Sequence, residues 1–244
     1  MSVILNDFFK QVYEKFPIPR KWPISLVFGS VVIAVFWTSI IISMAHFEGI
    51  YNPFINWMSN LGNSSMNPDG AIYFNIGCII AGSLLFPFFI GLYEWYIGSK
   101  RNKKLTMATQ AAGFFSAFSM IMIGVFSEDT FILHIIWAST LFAVNTLTLI
   151  LPAIALYQFQ FTRNIAKFAI VATIINVFYL VTVWPIIEWA TIFMSFAFIA
   201  VLIHNMRKRL DKFRFARKSG IEILSKKQRE KRRLEKRTAR VNAV

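Results

Sequence analysis

The sequence predicts an all-α membrane protein: a six-transmembrane-helix bundle with both termini cytoplasmic, an N-terminal interfacial helix and a basic helical C-terminal tail. Three observations carry that prediction. Six stretches are apolar over lengths sufficient to cross a bilayer. Lys and Arg are confined to alternate loops. Finally, the 244 residues are 56% hydrophobic yet carry a net charge of +14, with mean hydropathy +0.54, a combination that water-soluble domains rarely show.

In chain order the spans are expected near Ile24–Phe47, Ala71–Ile97, Thr106–Phe126, Phe131–Phe159, Ala166–Trp184 and Glu188–Met206. They must be helices, because a backbone amide in hydrocarbon has no water to bond and a helix satisfies its own. Lys10, Lys15, Arg20 and Lys21 precede the first span; Lys100, Arg101, Lys103 and Lys104 follow the second; Arg163 and Lys167 follow the fourth. Every other Lys or Arg follows the sixth. The remaining loops carry Glu48, Asp69, Glu128, Asp129 and Glu188 instead. Positive residues are retained on the cytoplasmic side, so the acidic loops are expected outside, most simply at the cell (plasma) membrane. Three parts follow: an N-terminal amphipathic segment over 1–23, the transmembrane domain over 24–206 and a basic cytoplasmic tail over 207–244.

The opening residues are not read as a cleaved signal peptide. No small-residue cleavage site follows them, and Pro17, Pro19 and Pro23 break the chain before the first span. Ile4, Phe8 and Val12, with Leu5, Phe9 and Phe16, recur at helical spacing opposite Asp7, Lys10, Glu14 and Lys15. That pattern suits a helix lying in the membrane interface or one packed against the bundle. Within the spans, Gly77 with Ala81, Ala112 with Ser116 and Gly113 with Ala117 are each four apart, which predicts close helix contacts made by the second and third spans.

The polar stretch "NWMSNLGNSSMNPDGAIYFNIG" interrupts this oily chain at residues 56–77. Part of it reads as a helix start, with Asn67 as N-cap and Pro68 and Asp69 in the first turn. "SEDT" at 127–130 reads the same way, with Ser127 capping the fourth helix ahead of Glu128 and Asp129. Capping does not account for Asn75, about two turns into the second span, or for His134, about one turn into the fourth. Polar groups at such depth are costly unless they meet a partner or a cavity. Trp137 is expected to share the face of His134; Asn145 lies deeper, and Trp184 and Glu188 sit at the junction of the last two spans. Together these groups predict an outward-facing polar pocket. A hydrogen-bonded, purely structural His134 is the plain alternative.

"SNLGN" followed by "NPDGAIYFNIGCIIAGSL" resembles the serine-x-leucine-glycine loop and phenylalanine-asparagine helix of the domain-of-unknown-function 998 family of six-helix membrane proteins. "GVFSEDTFILHIIWASTLF" is similar to that family's second signature, a glycine-x-phenylalanine, an acidic turn and a histidine opening the next helix. The resemblance spans roughly residues 24–206. It marks Ser59, Leu61, Gly62, Phe74, Asn75, Phe126 and His134; Ser127 stands where members commonly have proline. The family distantly resembles the Frag1/DRAM/Sfk1 group, some of which handle lipids or lipid anchors.

Most enzyme templates are missing. The chain has no zinc-binding His-Glu-x-x-His helix, no phosphate-binding glycine loop and no nucleophile-elbow serine. A single cysteine, Cys78, excludes a disulfide within one chain, and His46, His134 and His204 are too scattered for a metal centre. No cofactor or metal is expected. Glu128, Asp129 and His134 remain candidates for acid–base work on a lipid head group. The ligand-binding candidates are Ser59, Asn60, Gly62, Asn75, His134, Trp137 and Glu188.

Of the 26 Lys and Arg residues, sixteen lie from Arg207 onward. Such a tail suits anionic inner-leaflet lipids, each basic residue near the surface contributing about 1 kcal/mol. A protein partner or, less favoured, an RNA or ribosome contact is also compatible with it. Three functions stand open: a non-enzymatic protein that binds a lipid or small ligand, an accessory subunit of a membrane complex that engages a partner through its tail, and a lipid-head-group-modifying enzyme.

Overall fold

The computed structural model describes residues 23–95, 100–160 and 162–218; the expected interfacial helix and most of the tail lie outside them. Six helices follow in order: α1 (Ile24–Ala45), α2 (Ala71–Gly91), α3 (Lys100–Val125), α4 (Phe131–Tyr157), α5 (Arg163–Thr182) and α6 (Pro185–Lys218). Three short 3-10 turns, Met58–Gly62, Leu92–Trp95 and Glu128–Thr130, are set between them, and no strand occurs among the described residues. All six helices are long and apolar enough to cross a membrane. By contacts the chain divides into Met1–His204 and Asn205–Val244.

Three helix ends move well away from their expected places. The sixth helix runs on to Lys218 rather than stopping at Met206. The third helix starts at Lys100 rather than Thr106, since Lys and Arg are good helix formers and their long stems let the charges leave the hydrocarbon. The second ends at Gly91, where Leu92–Trp95 tightens into a 3-10 turn. Pro87 and Pro152 both lie inside helices, α2 and α4.

Consecutive helices from α1 to α5 pack on one another, and α6 returns to α1. There Phe36 and Phe196 stack with centroids 4.3 Å apart, and Trp37 meets Phe193 and Phe196 edge-on. Lipid provides no hydrophobic drive between helices, so close approach at small residues has to supply the contact. Close approaches occur at Gly77, which faces Ser39 of α1, and at Gly113, beneath the Phe89 ring of α2, whereas Ser116 lines a cavity. Between α4, α5 and α6, Asn145 donates to Asn176 Oδ1 (3.1 Å) and Ser195 Oγ (2.8 Å), while Asn176 donates to the Phe142 carbonyl and to Thr146 Oγ1, both at 2.8 Å. This network satisfies polar groups that hydrocarbon would otherwise strand.

The α5–α6 corner holds one residue in the left-handed region. Val183 has φ 51° and ψ 37°, its N–H closing onto the Tyr179 carbonyl at 2.8 Å. That conformation costs a β-branched residue about 1 kcal/mol or more, while asparagine enters it readily. The side chain is exposed, so little packing would be lost. Val183→Asn should therefore raise the thermal unfolding midpoint, by about 1 kcal/mol of stability; an unchanged or lower midpoint would show the corner to be unstrained.

Candidate functional site

The site begins with the α1–α2 loop, residues 46–70, which is tied down over the end of the bundle opposite Lys100 and Arg163. Asn67 is fully buried, and its Nδ2 donates to the Ser43 carbonyl (3.2 Å), Ser43 Oγ (2.9 Å) and the Leu61 carbonyl (2.9 Å). Asn67 was expected to cap α2; instead α2 starts at Ala71 with no side-chain cap, and the amide brackets the loop to α1. Gly70 leaves room for it, since a Cβ there would overlap the Asn67 amide. Asn75 Nδ2 donates to the Gly62 carbonyl (3.1 Å), and a Cβ on Gly62 would meet Asn75 Oδ1 and the Phe74 ring.

Three aromatic residues complete the tie. Tyr51 donates to the Trp57 carbonyl (2.8 Å) and accepts from Trp189 Nε1 of α6 (3.1 Å); Trp57 Nε1 reaches the Val183 carbonyl at 3.3 Å. Burial holds the Tyr51 phenol above its ordinary pKa; the Trp189 bond opposes this, and the charges of Glu188 and Glu128 add to it. The hydroxyl therefore stays a donor throughout the physiological range.

Under the loop, one 3-10 turn holds two carboxylates. The Met58 backbone N–H donates to Glu188 Oε2 (2.8 Å), and Asn60 Nδ2 donates to both oxygens of Glu128 (2.9 and 3.0 Å). Asp129 accepts from the backbone N–H and the hydroxyl of Ser64 and from the hydroxyl of Ser127. Ser127 thus spends its hydroxyl on Asp129 and makes no cap bond, and Glu128 and Asp129 stand in a 3-10 turn ahead of α4 rather than in its first turn. Local pattern reads these residues as caps; the structure uses them as anchors for a distant loop.

Below the turn a cavity runs along the bundle between α1, α2, α3, α4 and α6, with about 1100 Å³ of unfilled space including its open part. Its walls are mostly apolar: Phe36, Phe74, Phe88 and Phe196 are among them. Asn145, Thr148 and Ser195 also line it, but they bond to one another or to backbone carbonyls. At the loop end the lining is Met58, Ser59, His134 and Glu188. His134 is 4% exposed, and its Nδ1 lies 2.8 Å from the Phe126 carbonyl. A carbonyl only accepts, so Nδ1 carries a proton there and Nε2 is the ring nitrogen left for another partner.

Of the residues singled out by sequence, Ser59, His134, Asn145 and Glu188 line the cavity, while Asn60 and Gly62 belong to the loop above it and Asn75, on α2, bonds that loop. Trp137 does not share the lining with His134. Its ring turns to Phe118 of α3 instead, with centroids 5.4 Å apart. Tyr51, Trp57 and Trp189 were missed; their only sequence signal is aromatic residues in or beside a loop between spans, which the membrane interface favours anyway. Asn176 and Ser195 were missed too, although a polar residue inside an apolar span is a signal.

Six membrane-length apolar helices define the class, a multi-pass integral membrane protein. The family described as "Protein of unknown function (DUF998)" matches residues 30–205, and the chain belongs to it. The matched stretch contains every residue that lines the cavity. Comparison with curated proteins and with solved structures gave no match.

Proposed function

We propose that the protein binds a lipid or other small amphiphile inside its bundle, without catalysing a reaction on it. The apolar part would lie in the cavity and the polar part at the mouth, beneath the α1–α2 loop. The observation that supports this best is the one-sidedness of the cavity: apolar walls over most of its length, with Glu188 and His134 gathered at one end. Pockets for organic ligands combine apolar walls with a few placed polar groups in this way. Acid–base chemistry is the weaker reading, because Glu128 spends both oxygens on Asn60, and Asp129 binds Ser64 and Ser127. The distribution of Lys and Arg supports a mouth facing outward from the cell membrane and a basic tail on the anionic inner leaflet.

Ala138 lines the cavity one turn beyond His134, where a large side chain would fill the space. The wild-type protein, purified gently from its own membrane, is expected to carry a bound amphiphile in native mass spectrometry. Ala138→Trp should lose most of it while staying folded. Identical lipid profiles for the two proteins would remove the reading.

A further inference from the structure

Resting on that reading, we propose that the ligand presents a primary ammonium group to the mouth of the cavity, where Glu188 and His134 receive it, with its alkyl chain in the apolar space below. Glu188 is 5% exposed and lines the cavity, with Oε2 held by the Met58 N–H; Oε1 has no hydrogen-bond partner among the described residues. His134 is as deeply buried, and with its Nδ1 proton bonded to the Phe126 carbonyl, the uncharged form of the ring turns Nε2 into a second acceptor. The mouth thus offers acceptors.

Among the described residues no cation balances them. The described Lys and Arg residues before Asn205 follow α2 or α4, at the other end of the bundle, and the charged side chain that the same loop turn also holds is Glu128, another carboxylate. Burying an unpaired carboxylate is expensive, so a counter-ion brought by the ligand would offset a cost the protein leaves open. An ammonium brings three donors and one positive charge; a phosphate or sulfate head would bring acceptors to acceptors and negative charge to negative charge.

A second unsatisfied group lies further along the same cavity. Ser30, Ser39, Ser83 and Ser119 each bond the carbonyl four residues back in their own helix. Ser116, also on a helix, 5% exposed and lining the cavity, has a hydroxyl without a partner among the described residues. A wholly hydrocarbon chain leaves it unpaired; a hydroxyl, carbonyl or unsaturation along the chain would meet it.

Photoactivatable probes with one alkyl chain and different heads test this: a primary amine, its N-acetyl amide, an alcohol and a phosphate, each crosslinked to the purified wild-type protein. A diacyl phosphoethanolamine probe run beside them separates a bilayer lipid from a free long-chain amine as the source of the ammonium. The amine should label about tenfold more efficiently than its amide or the phosphate. Glu188→Gln, which keeps an acceptor for the Met58 N–H, should bring labelling by the amine down to the level of its amide. Equal labelling by all heads in the wild type would overturn the ammonium proposal and leave amphiphile binding intact. Absence of labelling by any probe would overturn both. Should Glu188→Gln fail to fold, the amine-to-amide ratio in the wild type decides alone.

Discussion

Gly124→Leu should prevent recovery of monodisperse protein, and Gly124→Ala should cost about 3 kcal/mol, because no side chain fits between α3 and α2 at this point. A Cβ on Gly124 would run into the Asn75 carbonyl oxygen and lie 2.8 Å from Ile79 Cγ1 and 3.1 Å from the Ile79 nitrogen. Two of these three atoms are backbone, so no rotamer change relieves the overlap and the helices must separate. Gly113 is more forgiving, since the group above it is the Phe89 side chain. Separation at Asn75 would also draw its amide from the Gly62 carbonyl, so the damage should reach the loop over the cavity. Gly49 is the control: its φ is 80° and nothing lies within 4 Å, so alanine there costs only backbone strain, about 1 kcal/mol. Size-exclusion profiles and thermal unfolding in one detergent compare the variants. A Gly124→Ala protein that unfolds with the wild type would show that this close approach contributes nothing.

The six spans were legible because hydropathy and backbone hydrogen bonding in lipid leave little choice at that scale. Segment order and type follow from them without reference to tertiary packing. The loop chemistry was legible only as a set of residues. Asn60, Gly62, Asn75, His134 and Glu188 were singled out because polar groups beside or within apolar spans need partners, but sequence spacing did not say which partners. Asn60 meets Glu128 sixty-eight positions away, and Glu188 meets Met58 across 130. Local rules fail at such separations. Capping logic placed Asn67 and Ser127 at helix starts, but bonds to Ser43 and Leu61 claim the Asn67 amide and Asp129 claims the Ser127 hydroxyl. The same holds for Trp137: three residues along a helix leave an offset of about 60° from His134, enough to carry its ring onto Phe118 and out of the cavity lining. The cavity itself belongs to no segment, since it is what five helices fail to fill.

Among polar side chains, Asn67 should show the largest loss. Its amide is fully buried, and its orientation is fixed by chemistry: three acceptors surround Nδ2, so the reversed amide would place an oxygen against them. Oδ1 has no partner among the described residues, so the contribution comes from the donor side. Asn67→Ala should lower stability by about 3 kcal/mol, because the Ser43 carbonyl loses this donor and the Leu61 carbonyl keeps only Ser43 Oγ, at 3.1 Å. Asn67→Asp, of nearly the same volume, should be at least as damaging, since it sets a carboxylate against those acceptors; that comparison separates hydrogen bonding from packing. Asn67 is not among the residues that line the cavity, yet it ties α1 to the turn that carries Met58 and Asn60. Freed from that tie, residues 46–70 should become sensitive to limited proteolysis, and a bound amphiphile should be retained less well even with Glu188 and His134 untouched. Wild-type protease resistance and amphiphile retention in Asn67→Ala would mean that the aromatic ties through Tyr51 and Trp57 hold the loop by themselves.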